Sequence, residues 1–309
     1  MDAKWINNMV DNYRVLNLAS NDYANMSHNN ARALRSIGVD CFDYVLNSHP
    51  FGYESQSEIV TREEIISMVN KFDVIQIFHS CSIILNLVNI GNFKGKLVVY
   101  HSGSRYRQEP DKFNKIFKDV DVVITDQTEF ITLCDNEIHY LAPHIDLEPT
   151  EKRKGGKLIV GHYPSNSEVK GTEDIKTMLE PFKNDFEIRI DTNIIPHEDN
   201  LKRIAECHIY IELFKPELNG KQYGCFGVTA FEATSLGCLV ITNDLNMNVY
   251  HDAYGLTPFQ IANTKDEFTE ILHLLKEFNT ETIKDLVELD FRKNHSIEST
   301  GKRILELIK

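Results

Sequence analysis

The sequence predicts an α/β protein built on two parallel sheets. Short apolar runs alternate with amphipathic helical runs, as they do where buried parallel strands are connected by helices. A polar, basic segment with a glycine pair, residues 147–157, interrupts this alternation, which then starts again. The length of 309 residues suits two domains of about 150 residues each. We therefore predict two doubly wound α/β domains in tandem.

In the first half of the chain, continuous apolar runs predict strands that are buried on both faces. The predicted strands are Arg14–Ala19, Cys41–Leu46, Val74–Phe78, Lys96–Tyr100 and Val122–Thr125. Apolar residues at helical spacing predict helices at Ser27–Ile37 and Glu58–Asn70. Strands and helices therefore alternate as in βαβ units.

The second half repeats this alternation and ends in helices. The predicted strands are Leu158–Tyr163, Phe186–Ile190, Ile209–Leu213 and Cys238–Thr242. The predicted helices are Gly171–Pro181, His197–Glu206, Val228–Leu236, Lys265–Phe278, Thr280–Leu289 and Ile297–Ile308. We place the first domain at residues 1–150 and the second at 151–290. A final helix, 291–309, is free to pack back on the first domain.

Composition excludes several classes of protein. Apolar residues at 42% and charged residues at 26% are ordinary for a globular chain, which argues against disorder and coiled coil. A net charge of -13 repels nucleic acid and anionic membranes unless a local basic patch overcomes it. The six cysteines form no CxxC pair, no signal peptide is visible, and no apolar stretch approaches the ~20 residues of a membrane span. We expect a soluble cytoplasmic protein.

The clearest local pattern is the segment from Tyr223 to Thr242. It reads as a glycine-containing loop, a helix from about Gly227, a glycine that ends the helix, and a buried strand. The start of such a helix presents free N–H groups and a positive dipole end, which suits a phosphate. Glu232, one turn into the helix, is placed to accept hydrogen bonds from ribose hydroxyls. The alternative is an ordinary strand–helix–strand unit with a surface glutamate.

Two further segments follow strands and carry polar groups. In Gly161–Asp174, Lys170 comes just before a predicted helix and is a suitable counter-charge for a diphosphate, although a solvated lysine is the simpler interpretation. In His101–Arg107, the imidazole of His101 could contact a sugar hydroxyl, and Arg105 and Arg107 could bind an anion. Both segments lie at the carboxyl ends of predicted strands, where ligands of open α/β sheets bind.

Other kinds of site are missing from the sequence. The turn after the first strand, Ser20–Ser27, holds no glycine, which disfavours NAD or FAD binding. The chain has no P-loop, GxSxG, HExxH or EF-hand pattern, and its histidines show no metal-ligand spacing. We therefore predict no metal site and no cofactor.

In their order along the chain, the three segments resemble those of retaining glycosyltransferases of the GT-B fold, in the glycosyl transferase group 1 (glycosyltransferase family 4-like) family. PSNSEVKGTED resembles the PSxRxxKGT segment of that family, and YGCFGVTAFEATSLGCLVIT resembles its FGxxxxEAxAxGxPVI segment. HSGSRYR is similar to an HGSxxR loop in one branch of the family. The resemblance covers nearly the whole chain. It implies two Rossmann-like domains that face each other across a cleft, with a helical C-terminal tail.

The resemblance also implies roles for individual residues, centred on a nucleotide-diphosphate-sugar donor held mainly by the second domain. It makes His101, Lys170 and Glu232 the catalytic set: His101 beside the donor sugar, Lys170 on the diphosphate and Glu232 on the ribose. The remaining donor-binding residues are Ser165, Pro196, His197, Phe226, Gly227, Val228 and Arg105. The implied reaction is transfer of the sugar to an acceptor hydroxyl with retention of configuration and without a metal ion.

The sequence departs from the family pattern at charged positions. Gly224 stands where the family has the first of two glutamates, and Ser167 stands where it has a phosphate-binding arginine. Glu212 or Glu217 could replace the acid, and Arg105 or Arg107 the arginine. These departures keep two alternatives open: a non-catalytic module that binds a nucleotide-sugar or a glycan, and a nucleotide-sugar epimerase of the same fold.

The acceptor is less specified than the donor. A glycan or a lipid-linked sugar is what the resemblance implies. Pairs of asparagine such as Asn7 and Asn8 are typical of AT-rich and viral genomes, which keeps a hydroxymethylated base of phage DNA as a second possibility. That acceptor would need a local basic strip, for which the candidates are Lys152, Arg153, Lys154 and Lys157, or the two arginines of His101–Arg107.

Overall fold

The computed structural model describes residues 13–49, 56–279 and 291–309. These residues divide into two compact units. Unit 1 runs to His144 and includes His295–Lys309, and unit 2 is Ile145–Asn294. The predicted helix Thr280–Leu289 lies outside the described residues.

Unit 1 contains a seven-stranded, wholly parallel sheet in the order β3-β2-β1-β4-β5-β6-β7. Its strands are β1 (Arg14–Ala19), β2 (Asp40–Val45), β3 (Glu58–Ile59), β4 (Val74–Ile77), β5 (Lys96–His101), β6 (Val122–Thr125) and β7 (Ile138–Tyr140). Its first helices are α1 (Met26–Ser36), α2 (Arg62–Met68), α3 (Ser82–Ile90), α4 (Gly103–Gln108) and α5 (Pro110–Ile116). The strand order reverses between β1 and β4.

Unit 2 contains a five-stranded parallel sheet in the order β14-β13-β10-β8-β9 and a small antiparallel hairpin. The strands are β8 (Ile159–His162), β9 (Glu187–Ile190), β10 (Ile209–Ile211), β13 (Leu239–Thr242) and β14 (Phe259–Ile261), and the hairpin pairs β11 (Glu217–Leu218) with β12 (Lys221–Gln222). The helices are α6 (Ser167–Lys170), α7 (Thr172–Leu179), α8 (His197–Ala205), α9 (Val228–Ser235), α10 (Met247–Tyr254) and α11 (Lys265–Leu275).

The chain ends in α12 (Phe291–His295) and α13 (Ile297–Ile308). Helix α13 packs on α1 in unit 1. The two backbones approach closely at Gly301, where a Cβ atom would lie 2.8 Å from the carbonyl carbon of Ala33. The hydroxyl of Tyr13 donates to the carbonyl of Ile308 at 2.9 Å and ties the last turn to the start of the sheet.

Alternating residues of each buried strand lie on opposite faces of its sheet and pack into the apolar core on that face. In β1, Leu16 and Leu18 pack on the face covered by α2 and α3, whereas Val15 and Ala19 pack on the face covered by α1 and α13. Successive side chains of a strand point to opposite faces of the sheet, and helices cover both faces. These strands are therefore apolar along their whole length rather than at every second residue. The two parallel sheets confirm the predicted α/β fold class.

The structure corrects two predicted helices. Glu58–Ile59 pairs with β2 as a strand, and helix α2 begins only after Thr61, whose side chain forms a capping box with Glu64. The predicted helix Gly171–Pro181 begins one residue later, because Gly171 has a left-handed conformation (φ 72°) that separates α6 from α7, and beyond Leu179 it continues as a 3-10 turn, Glu180–Phe182. No helix among the described residues is long and apolar enough to cross a membrane.

Candidate functional site

The strand order of unit 2 reverses between β8 and β10, the place in an open α/β sheet where ligands bind beyond the carboxyl ends of the strands. The segment after β8 brings Lys170 to this edge, and β10 is followed directly by Glu212. The ammonium of Lys170 donates to Oε1 of Glu212. Two residues 42 positions apart in sequence therefore meet at the reversal point.

The position of Lys170 is set by the short turn around it. The side chain of Asn166 caps α6 by accepting from the amides of Glu168 and Val169, both at 3.1 Å. At Gly171 a Cβ atom would overlap the carbonyl oxygen of Phe214, so only glycine allows the turn to approach the end of β10. The amide of Phe214 donates to the carbonyl of Lys170 at 3.2 Å, which holds the two segments together.

The N-terminus of α9 borders the same pair. Gly227 is the N-cap residue and provides no side-chain cap, while Val228 is partly exposed. Phe226, just before it, is buried against Phe231 and Phe259 and anchors the start of the helix. An uncapped helix start beside an ammonium group is suited to an anion such as a phosphate.

Glu232, one turn into α9, forms an ion pair with His197 on α8. Nε2 of His197 lies 2.7 Å from Oε1 of Glu232, and the carboxylate is far less exposed than the imidazole (11% against 56%). The hydrogen bond to Glu232 raises the pKa of His197 above its usual value. Pro196 is the N-cap of α8 and is exposed. Ser165 lies in an exposed bend before α6.

In unit 1 the structure buries His101, the predicted contact of the donor sugar. Its imidazole is 1% exposed, stacks on Tyr106 with ring centroids 4.1 Å apart, and hydrogen-bonds Ser80 at 2.9 Å. Burial lowers the pKa of His101 to about 3, so the ring is neutral. Of the two nearby arginines, Arg105 is exposed and lies over Phe113, and Arg107 is paired with Glu129.

His79, which the sequence reasoning overlooked, reaches the same edge of the sheet from β4. The amide of Tyr23 donates to its Nε2 at 3.2 Å, so Nδ1 carries the proton and donates to Oγ of Ser102 at 2.7 Å. His79 and Ser80 both have left-handed backbones, which are uncommon outside glycine and concentrate at functional sites. The position of His79 after an apolar strand, level with His101 in the next strand, was the available indication.

Solved structures share this arrangement of two sheets. A sucrose-phosphate synthase from Thermosynechococcus elongatus superimposes with a TM-score of 0.58 at 11% identity, covering 96% of this chain and 98% of that one. AviGT4, a glycosyltransferase involved in avilamycin A biosynthesis, does so with a TM-score of 0.55 at 9% identity, covering 95% and 96%. The chain has the GT-B glycosyltransferase fold. No protein-family model and no curated protein matches its sequence.

Within this GT-B fold, the structure leaves no space for a side chain at Gly224. A Cβ atom at Gly224 would lie 2.5 Å from Nδ2 of Asn243. Asn243 is fully buried and cannot give way, because its Oδ1 accepts from the amide of Lys215 and its Nδ2 donates to the carbonyl of Tyr223. Glu217, one of the two acids considered as a replacement, is exposed on β11, whereas Glu212 lies at the site itself.

No group of three or more histidine, cysteine or acidic side chains that could hold a metal ion occurs in residues 13–49, 56–279 and 291–309. The positively charged side chains at the site include Lys170, which donates to Glu212, and His197, which pairs with Glu232 when it is protonated.

Proposed function

We propose that the protein transfers a sugar from a nucleotide-diphosphate-sugar to an acceptor hydroxyl, with retention of configuration and without a metal ion. The observation that carries the proposal is the convergence of Lys170 and the uncapped start of α9 at the reversal point of the unit 2 sheet. The GT-B fold supports it, as do two structural neighbours whose names are those of a sucrose-phosphate synthase and a glycosyltransferase.

In this mechanism the diphosphate lies on the first turn of α9, where the amides of Gly227 and Val228 and the ammonium of Lys170 face its oxygens. As the glycosidic bond breaks, negative charge grows on the leaving diphosphate, and these donors stabilise it. The acceptor oxygen forms the new bond to the anomeric carbon, and its proton passes to the leaving diphosphate. Glu232 accepts from the ribose hydroxyls, and the segment from Ser165 to Lys170 and the loop at Pro196 border the rest of the nucleotide. Stabilisation by fixed donors is the reason for proposing that no metal is needed.

His101 is buried, and its pKa of about 3 leaves the imidazole uncharged at neutral pH. We therefore do not assign it a role as a source of positive charge in the reaction. His79 and Ser102, whose side chains are hydrogen-bonded to each other, are polar groups of unit 1 that we expect a sugar hydroxyl to meet at that edge. We propose a glycan or a lipid-linked sugar as acceptor, with the reaction taking place in the cytoplasm.

A DNA acceptor has less support from the charges. Two of the candidate cations are paired with carboxylates of the protein: Arg153 with Glu187, and Arg107 with Glu129. Cations neutralised within the protein contribute little to phosphate binding. Retention on a duplex-DNA column that falls with added salt would favour the DNA acceptor over the glycan.

The test is a thermal-shift panel of UDP-, GDP-, ADP- and TDP-sugars, followed by mass spectrometry of donor hydrolysis and transfer. A bound donor at 100 times its dissociation constant adds about 2.7 kcal/mol to the free energy of unfolding. No shift with any member of the panel contradicts the proposal. A shift without any hydrolysis or transfer favours the non-catalytic module, for which Gly224 and Ser167 are the motivation.

A further inference from the structure

Glu212 is the least exposed charged group at the site. Its side chain is 1% exposed, against 20% for Lys170, so the carboxylate lies behind the ammonium. Both of its oxygens are used: Oε1 accepts from Lys170, and Oε2 accepts from Oγ1 of Thr242, at 3.2 Å, at the end of β13. A buried carboxylate is costly unless it is paired and hydrogen-bonded, and this one is both.

Gly227 shows how closely the ion pair approaches helix α9. A Cβ atom on Gly227 would overlap Oε1 of Glu212 and would lie 3.0 Å from Nζ of Lys170. The absence of a side chain at this position therefore lets the pair lie against the first turn of the helix. The ammonium of Lys170, the carboxylate of Glu212 and the uncapped N-terminus of α9 therefore lie side by side.

A lysine side chain is flexible, so a fixed partner such as Glu212 limits the positions of its ammonium group. An ammonium group sits on a flexible four-carbon stem and has three N–H donors. One donor goes to Glu212, which leaves two for a ligand on the exposed side of Lys170.

We propose that Glu212 is a positioning residue that fixes the ammonium of Lys170 towards the diphosphate of the donor, rather than an acid that contacts the donor sugar. This inference rests on the proposed function. It competes with one opposite interpretation, in which Glu212 masks the charge of Lys170 and weakens phosphate binding. The two interpretations differ in the sign of a measurable change.

The experiment measures, by calorimetry on the full chain, the dissociation constants of inorganic pyrophosphate, of UDP, GDP, ADP and TDP, and of the matching nucleosides. Glu212→Gln keeps the size of the side chain and removes its charge. Positioning predicts that this change weakens binding of pyrophosphate and of the preferred diphosphate about tenfold and leaves nucleoside binding unchanged. Masking predicts tighter binding, and equal or tighter binding overturns the proposal.

Three further variants separate positioning from general effects. Thr242→Val removes the partner of Oε2 but keeps both charges, and it should weaken diphosphate binding in the same direction, by about threefold. In a Lys170→Met background, Glu212→Gln should cause no further loss, which a purely structural role would not predict. Glu173→Gln, which removes the exposed partner of Lys176 and changes the net charge equally, is the control and should have no effect.

The outcomes also separate this inference from the function on which it rests. If Glu212→Gln does not fold, Thr242→Val decides: weaker diphosphate binding supports positioning, and unchanged binding overturns it. If the wild-type chain binds a diphosphate and Glu212→Gln binds it equally well, the inference fails while the proposed function stands. If the wild-type chain binds neither pyrophosphate nor any diphosphate, both fail.

Discussion

The two units reverse their strand order in the same way, and in each the helix after one central strand has a capped N-terminus (α1, α6) while the helix after the other has no side-chain cap (α3, α9). They differ in the charge beside the uncapped helix, because Lys170 lies beside α9. In unit 1, Asp22 follows β1 and caps the start of α1: its oxygens accept from the amides of Ser27 and His28 at 2.8 and 3.0 Å. In unit 2, Gly227 leaves the start of α9 without a side-chain cap, and Lys170 lies beside it. An N-terminus that already holds a carboxylate has no room for another anion.

The two units also share a feature at the ends of their strands. Each unit buries a histidine as the last residue of a strand: His101 ends β5, and His162 ends β8. Burial lowers their pKa values to about 3 and about 4, so both rings are neutral. The units therefore differ in the charge beside a similar edge, and we assign the proposed diphosphate to the edge of unit 2, where Lys170 lies beside the start of α9.

The largest expected effect tests whether catalysis at the N-terminus of α9 requires the ammonium of Lys170. We expect Lys170→Met to lower kcat for sugar transfer or donor hydrolysis by about 10²- to 10³-fold, because an electrostatic contact to developing charge is lost. Steady-state kinetics with the donor found in the thermal-shift panel measures the effect. Lys176→Met, which removes an exposed lysine paired with Glu173, should change kcat little.

A double variant distinguishes a loss of catalysis from a folding defect. Lys170→Met leaves the carboxylate of Glu212 buried without its partner, whereas Lys170→Met with Glu212→Gln removes both charges. The double variant should fold and should be equally inactive. Full activity in either variant would show that unit 2 does not use this ammonium.

A smaller effect tests the capped N-terminus of unit 1. Asp22→Ala removes the acceptor of two helix amides, and we expect the free energy of unfolding to fall by about 1–2 kcal/mol. Asp22→Asn keeps one acceptor oxygen and should lose less. Urea denaturation measures both. Pyrophosphate affinity should be unchanged, and a loss of affinity in Asp22→Ala would contradict the assignment of the anion to unit 2.

The smallest effect at neutral pH concerns two histidines, His197 and His101, whose pKa values shift in opposite directions. The pKa of His197 is raised, so its ion pair stabilises the folded chain below pH ~6.5, and this stabilisation is lost as the pH rises through the folded pKa. The pKa of His101 is lowered to about 3, so its burial opposes folding increasingly as the pH falls from ~6.5 towards that value.

An NMR titration of the imidazole rings measures both values. His197 should titrate above pH ~6.5, and Glu232→Gln should bring its pKa back towards that value. His101 should stay neutral to about pH 3. A His101 ring that titrates near pH ~6.5 would mean that it is exposed in solution, and it would then be available to a ligand.

The local sequence pattern was sufficient to predict several of the strands and helices. Strands Arg14–Ala19 and Val122–Thr125 and helix Ile297–Ile308 have the predicted bounds, because apolar runs and helical spacing depend on neighbouring residues alone. The helix predicted at Glu58–Asn70 was wrong at its start, since pairing with β2 outweighs local propensity at Glu58–Ile59. For the site, the resemblance brought Lys170, the start of α9 and Glu232 to attention.

The partners of those residues needed the tertiary structure. The sequence by itself determined that two α/β domains follow each other, and it placed Lys170, Gly227 and Glu232 in the segments where we propose that a nucleotide binds. Only the fold decided that Glu212 lies behind Lys170, that His197 holds Glu232, and that His101 is buried. The reason is physical: strand order decides which segments meet at one edge of a sheet, and burial decides which side chains keep their charge.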